Sequence, residues 1–150
     1  LQGLGWERNE KPNTKNHNQN KRFWRILTMA GVLIADDASF MRNVLKRIVM
    51  QSGHDVIAEA GSGDEAILLY RQHKPELVLM DIVMPAGEMA KDGIEALKKI
   101  MGEDPAAKCV MCSSMGQQSL IVEALKSGAK DFVTKPFKPQ KVLEVLSKYC

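Results

Sequence analysis

Five short apolar runs divide the chain, and segments with apolar residues at helical spacing separate them. The central run, residues 77–80, has no polar break, which is typical of a strand buried on both faces of a parallel sheet. It stops at Asp81, and Pro85 follows four residues later. The whole pattern predicts five strands, near residues 32–35, 56–59, 77–80, 108–112 and 131–134.

A helix is predicted after each strand. The first has a wide apolar stripe and stops at Gly53, and the second begins with a capping box at Ser62. Asp92 begins the third, which we expect to end at Gly102, and the fourth is predicted over residues 117–128. The fifth turns four residues toward the core: Val142, Val145, Leu146 and Tyr149.

Strict alternation of strands and helices predicts an α/β fold, a doubly wound five-stranded parallel sheet with helices on both faces. Right-handed crossovers leave few topologies, and we expect the flavodoxin-like strand order 2-1-3-4-5. Strands one and three then lie side by side at the switch point of the sheet. Asp36 and Asp37 follow strand one, so this order brings them to Asp81 in one crevice.

Charge is distributed unevenly along the chain. Residues 1–30 hold six Lys/Arg and two Glu, a net charge of +4, whereas the other 120 residues hold 15 basic and 16 acidic side chains, a net charge of −1. The body lacks a basic footprint, so we expect no nucleic-acid partner. Three cysteines indicate a reducing compartment. Cys109 and Cys112 lie three apart on a predicted strand and would face opposite ways, which excludes a shared metal.

The amino-terminal segment is rich in Asn and Lys. We interpret residues 1–29 as a disordered basic extension or a non-native segment, followed by one folded domain over residues 30–150. Residues 21–35 imitate a signal peptide, but the apolar run is too short to span a membrane. Cleavage there would also remove the first strand. We therefore expect a cytoplasmic protein with no membrane partner.

Three carboxylates at one edge of a sheet require a counter-charge. Two of them about 4 Å apart repel by about 4 kcal/mol at an effective dielectric constant of about 20. Hard oxygen ligands suit Mg²⁺, and Lys135, after strand five, is the available protein cation. At the end of strand four, Ser113 or Ser114 offers a hydroxyl and a backbone N–H.

Each of these residues also has a structural explanation. The acids cap the first helix, Lys135 is a solvated loop residue, and the serines form a turn. Any one of these is adequate alone. Taken together, these explanations require acids, hydroxyls and a lysine to occur at four strand ends by coincidence, so we favour a functional site.

Four separated motifs resemble the signature of bacterial response-regulator receiver domains. They are Asp36-Asp37, the segment MDIVMP at residues 80–85, Ser113-Ser114 and Lys135-Pro136-Phe137. The resemblance covers residues 30–150 and is strongest to single-domain chemotaxis regulators of the CheY type. It implies transfer of a phosphoryl group from a histidine kinase to Asp81.

The resemblance also implies the remaining roles. Asp36, Asp37, Asp81 and the backbone carbonyl of Val83 would hold Mg²⁺, and Lys135, preceding a cis proline, would pair with the phosphoryl oxygens. Ser113 would turn toward the phosphoryl group, and Phe132 would move inward with it as the switch to an output surface.

The implied protein is a phosphoacceptor signalling domain, with only intrinsic autophosphorylation and autodephosphorylation. Its expected partners are a histidine kinase, a downstream target such as a flagellar motor switch protein, and a separate phosphatase. We expect it to be a monomer.

The chain departs from the family pattern beside the site. Residues 86–92 form a seven-residue connection where about three are typical of a short strand-to-helix loop. Ser113 in place of threonine is a milder departure.

Three alternatives stay open on sequence grounds. One is a receiver domain of a larger transcriptional or enzymatic regulator. A flavin carrier would need a phosphate loop after strand one, where Asp36 and Asp37 repel phosphate. A haloacid-type phosphatase would need an acid where Val83 stands.

Overall fold

A computed structural model describes residues 31–150. The predicted extension, residues 1–29, and residue 30 of the predicted domain lie outside the described residues. Five strands alternate with five helices within the described part. In chain order they are β1 (Gly31–Ala35), α1 (Ser39–Gln51), β2 (Asp55–Ala60), α2 (Gly63–His73), β3 (Leu77–Asp81), α3 (Gly93–Glu103), β4 (Cys109–Ser113), α4 (Gln118–Lys126), β5 (Asp131–Thr134) and α5 (Pro139–Tyr149).

The strands form one sheet in the order β2-β1-β3-β4-β5, and every neighbouring pair is parallel. This confirms the predicted topology. β3 and β4 are buried along their whole length, because helices cover both faces of the sheet. The carboxyl ends of all five strands therefore meet at one edge.

Two apolar layers cover the sheet. One packs α2, α3 and α4 against it, and the other packs α1 and α5 against it. Cys109 lies in the first layer and Cys112 in the second, as the alternation of strand residues predicts. Within residues 31–150, no helix has the length and hydropathy of a membrane span.

The helix boundaries follow local chemistry, with one correction. The Oγ atom of Ser62 accepts the Glu65 N–H at 3.2 Å, and the Glu65 carboxylate accepts the Gly61 N–H at 2.8 Å. The predicted end of α3 at Gly102 is wrong, because the helix continues to Glu103. Gly102 does not have the positive φ of a helix-ending glycine, so it marks no tight turn.

Candidate functional site

The three predicted acids meet where β1 and β3 end. Ala35 pairs with Met80, so the residues that follow both strands lie side by side. Asp36 is 1% exposed and Asp81 is 6% exposed, whereas Asp37 faces solvent. One carboxylate oxygen from each lies within 4.8 Å of the others. The predicted crevice is therefore present.

Lys135 supplies the cation between the two buried acids. Its Nζ atom lies 2.7 Å from Oδ2 of Asp36 and 2.9 Å from Oδ2 of Asp81. The Lys135 N–H donates to the Ser113 carbonyl at 2.7 Å, and the Lys135–Pro136 bond is cis. With its side chain only 16% exposed, Lys135 is not a solvated loop residue.

The charges in this cluster do not balance. Burial raises the pKa of Asp81, and the hydrogen bond from Lys135 opposes the rise without cancelling it, because Asp36 adds repulsion. Burial lowers the pKa of Lys135, but its bonds to Asp36 and Asp81 outweigh this and the net shift is upward. One charged lysine thus faces a cluster of three carboxylates and contacts two of them, which leaves negative charge that a further cation would neutralise.

We expect Asp81 to make the metal-free fold less stable as the pH rises. Because its pKa is raised on folding, its contribution to the free energy of unfolding is complete below the ordinary aspartate pKa and is lost as the pH rises through the folded value. Urea unfolding of the parent and of Asp81→Asn, without divalent cations and between about pH 3 and pH 7, should show the variant gaining relative stability with pH. A difference that does not change with pH would contradict this.

The structure separates Ser113, which the family resemblance favoured, from Ser114. Ser113 is fully buried, and its Oγ is the one buried side-chain polar atom of the described residues without a hydrogen-bond partner. Ser114 is exposed, and its N–H donates to Oε1 of Gln117 at 2.7 Å. A buried hydroxyl without a partner is costly, so Ser113 is the serine that a ligand in the crevice would satisfy.

Phe132 lies on the same face of the sheet as Ser113. It pairs with Met111, and strand side chains alternate, so Met111, Ser113 and Phe132 share one face. Phe132 is half-buried and lines a surface cavity with Thr134, Lys138 and Lys141. Phe132 therefore lies on the Ser113 side of the sheet, at its β5 edge.

The capping explanation is wrong for α1, because no side chain caps its N-terminus at Ala38, and Asp36 instead forms a turn before the helix. Oδ1 of Asp36 accepts the Ala38 N–H at 2.9 Å, just before α1, while Oδ2 faces Lys135. Sequence reasoning missed Arg42, which donates from Nη1 to the Asp36 carbonyl at 2.7 Å and from Nε to Glu59 at 3.3 Å. An arginine on the first turns of a helix after an acidic pair is the only sequence signal for this contact.

The donor set fits a magnesium ion. The three carboxylate oxygens lie within 4.8 Å of one another, a little wider than the distance of about 4 Å between opposite ligands of an octahedral Mg²⁺, so a small contraction would bring them into ligand positions. Two of the acids are buried and one is exposed, so a bound ion would keep contact with solvent. Val83 lies two residues after Asp81; the residue is 53% exposed, and its N–H donates to Oδ1 of Asp81 at 3.4 Å.

The inserted segment, residues 86–92, leaves the mouth of the crevice open. Val83 is 53% exposed and Met115 is 91% exposed, so neither is covered. The segment instead bonds to Asp64 at the start of α2. Asp92 caps α3 by accepting the Glu95 N–H at 2.8 Å, so this carboxylate already has a structural partner. Sequence reasoning also missed Asp64, because its partners are distant in sequence.

Family comparison agrees with this geometry. Residues 32–147 match the model of the response regulator receiver domain family. The chain belongs to this family. The receiver chain is thus a signalling domain rather than a conventional enzyme, and the flavin-carrier and phosphatase alternatives are set aside. Receiver domains bind Mg²⁺ at an acidic site, which is the kind of cluster found here.

Several relatives of this receiver are chemotaxis proteins. It is 53% identical over 117 residues to the chemotaxis protein CheY of Thermotoga maritima, covering 78% of this chain and 94% of the relative. It is 50% identical to CheY of Bacillus subtilis, with the same coverage. The chain is CheY-like.

Solved structures share the fold. CheY of Borrelia burgdorferi, in a complex with CheX, BeF₃ and Mg²⁺, aligns with a TM-score of 0.74 at 36% identity, covering 81% of this receiver and 90% of that chain. The receiver domain of NtrX from Brucella abortus aligns with a TM-score of 0.73 at 30% identity, covering 79% and 96%.

Proposed function

We propose that this receiver accepts a phosphoryl group on Asp81 from a histidine kinase and reports it through a surface at Phe132. The observation that carries the proposal is the convergence of Asp81, Lys135 and the partnerless Ser113 hydroxyl at one edge of the sheet. A phosphoryl group bound to Asp81 would have both a cation and an unused donor beside it.

The transfer is a displacement at phosphorus. A carboxylate oxygen of Asp81 forms the new P–O bond while the P–N bond of the phosphohistidine breaks, and the electron pair leaves with the imidazole. Such a transfer depends on positioning and charge neutralisation. Lys135, held by Asp36 and Asp81, lies where negative charge collects.

Magnesium would be held by Asp36, Asp37, Asp81 and the backbone carbonyl of Val83. When bound, the ion supplies the positive charge that Lys135 alone does not provide to three carboxylates and a phosphoryl group. Asp36 takes part in three contacts, through its carbonyl to Arg42 and through its carboxylate to Ala38 and Lys135. These contacts fix the carboxylate before the ion arrives.

Ser113 is the switch in this proposal. Its hydroxyl donates a hydrogen bond to the phosphoryl group once Asp81 is modified. That bond satisfies a buried oxygen that has no partner in the unmodified protein. Since Ser113 and Phe132 share a face of the sheet, the movement is passed to β5. The output surface is formed by α4, β5 and α5.

The partners follow from this role. We infer a cytoplasmic location beside a histidine kinase, and a target protein that binds the surface around Phe132. A flagellar motor switch protein is the target we propose, by analogy with the chemotaxis relatives. We expect the protein to act as a monomer.

The test is phosphorylation by a small donor. Incubation with Mg²⁺ and acetyl phosphate should add one phosphoryl group to the intact mass, and hydroxylamine should remove it because the product is an acyl phosphate. Borohydride reduction followed by peptide mapping should place the modification at Asp81. A modification at any other residue would overturn the proposal.

We expect slow intrinsic loss of the phosphoryl group. Hydrolysis requires a water held behind phosphorus by a polar group near the mouth of the crevice. The family resemblance places Val83 and Met115 beside that approach, and neither can orient a water. Val83→Asn and Met115→Glu should each shorten the lifetime several-fold, measured as decay of the phosphorylated mass after donor removal.

The control is Leu143→Asn on α5, an exposed apolar residue outside the crevice. If neither crevice variant changes the lifetime while shortening residues 86–92 does, the inserted segment governs hydrolysis and the assignment to Val83 and Met115 is wrong.

A further inference from the structure

The inserted segment is held by a side chain from another helix. The Asp64 carboxylate, in the first turn of α2, accepts three successive backbone N–H groups: Glu88 at 3.0 Å, Met89 at 3.1 Å and Ala90 at 2.9 Å. Burial raises the pKa of Asp64, but these donors lower it by more, so the net shift is downward and the acceptor is ionised at neutral pH. Three charge-assisted bonds from consecutive residues define an anchor for the loop.

Two glycines make room for this anchor. A β-carbon on Gly87 would overlap the Asp64 carboxylate. One on Gly63 would lie 3.1 Å from both the Ala90 Cβ and the Asp92 carbonyl oxygen. The Gly87 N–H also donates to the Ala90 carbonyl at 2.9 Å, which closes the tip of the loop. Loop and helix therefore fit each other closely, as parts of one built structure.

The base of the loop is fixed to the strand that carries the phosphoacceptor. The Gly93 N–H donates to the Ile82 carbonyl at 2.8 Å, and Gly93 lies so close to the Asp81 carbonyl that a side chain there would collide with it. Ile82 and Met84 are buried in the core layer under the loop. Val83 lies between these two residues in the chain. The backbone from Ile82 to Gly93 is held at its ends by the Gly93–Ile82 hydrogen bond and in its middle by Asp64.

We propose that Asp64 is a positioning residue for the phosphoryl-transfer site, since it holds the inserted loop and thereby fixes the Val83 backbone at the metal-binding edge. The inference rests on the proposed function, in which the Val83 carbonyl is a metal ligand. Without Asp64, three N–H groups lose their acceptor, and that of Ala90 belongs to a buried residue. The loop must then move to hydrate them, and the main chain at Val83 moves with it.

The test compares variants on both sides of the anchor. Asp64→Ala removes the acceptor, and Gly87→Ala disturbs the same contact from the loop while leaving α2 unchanged. Asp64→Asn should be intermediate, because Oδ1 accepts from Met89 and Ala90 and only the Glu88 bond uses Oδ2. Ser62→Ala is the matched control, since it removes a cap of α2 and touches no residue of the loop.

Two readouts separate positioning from general stability. Amide hydrogen exchange at residues 87–90 should accelerate in Asp64→Ala and Gly87→Ala and stay unchanged in Ser62→Ala. The Mg²⁺ dissociation constant, measured by titration calorimetry, should rise about tenfold in both loop variants, the lower end of the range for residues that support metal ligands indirectly. The unfolding midpoint without Mg²⁺ shows whether each variant is folded.

Each contrary outcome overturns the inference. If the loop amides exchange faster while Mg²⁺ affinity is unchanged, Asp64 holds the loop but does not position the site. If Ser62→Ala weakens Mg²⁺ binding as much, the effect belongs to α2 as a whole. A parent protein that binds Mg²⁺ and is phosphorylated on Asp81 leaves the proposed function intact in both cases. A parent that does neither overturns the proposed function itself.

Discussion

Asp81→Asn is expected to abolish phosphorylation by acetyl phosphate and by any histidine kinase. The asparagine amide has nearly the shape of the carboxylate but cannot act as the nucleophile at phosphorus. Asp36 is also buried and contacts Lys135, but both of its carboxylate oxygens already accept hydrogen bonds, from Ala38 at 2.9 Å and from Lys135 at 2.7 Å, whereas Oδ1 of Asp81 has only a long contact of 3.4 Å with the Val83 N–H. The intact mass after incubation with Mg²⁺ and donor should therefore remain that of the unmodified variant.

Two controls test whether the variant is folded and whether the loss is specific to Asp81. Lys135 keeps its 2.7 Å contact with Asp36 when Asp81 is neutral, so the variant should fold and should be at least as stable as the parent near neutral pH. Asp55→Asn changes an exposed acid at the start of β2 and should be phosphorylated like the parent. A phosphoryl adduct that survives in Asp81→Asn would rule out Asp81 as the only acceptor.

Magnesium is expected to stabilise the parent fold by about 2.7 kcal/mol when the free ion is at about a hundred times its dissociation constant. The ion binds the folded state because three carboxylate oxygens meet only there. It also relieves the repulsion that Lys135 leaves uncompensated. Urea unfolding with increasing Mg²⁺ should show the free energy of unfolding rising with the logarithm of the ion concentration.

Asp37→Ala should show almost none of this gain at the same concentrations. Asp37 is the exposed member of the cluster, so its removal weakens the site without opening the core. Asp55→Ala, which removes an exposed acid outside the cluster, should gain as much as the parent. Equal Mg²⁺ stabilisation of Asp37→Ala and the parent would show that the ion binds elsewhere.

Much of the fold was predictable because its signals are local. The unbroken apolar run before Asp81 indicates a doubly buried strand, and the alternation of runs and helical stripes fixes the order of elements. Right-handed crossover connections then place the ends of β1 and β3 side by side, which brings Asp36 and Asp37 to Asp81. The end of α3 was missed by one residue, since a glycine in an exposed helix turn weakens the helix without ending it.

Other features were decided by contacts between residues far apart in the chain. The sequence did not distinguish Ser113 from Ser114 except through the family resemblance, because their difference lies in burial: one hydroxyl is enclosed without a partner, and the other residue is exposed. Nor did it show that Lys135 contacts Asp36, 99 residues away. The sequence pattern of a lysine after a strand is the same whether the side chain enters a crevice or points into solvent.

The inserted loop shows the same limit most clearly. Its length is visible in the sequence, but its anchor is a carboxylate 24 to 26 residues earlier that receives backbone N–H groups. Backbone donors are identical in every residue but proline, so no side-chain pattern identifies the three that Asp64 binds. The sequence determines which groups are available to the site, whereas the packing of α2 against α3 decides which of them meet.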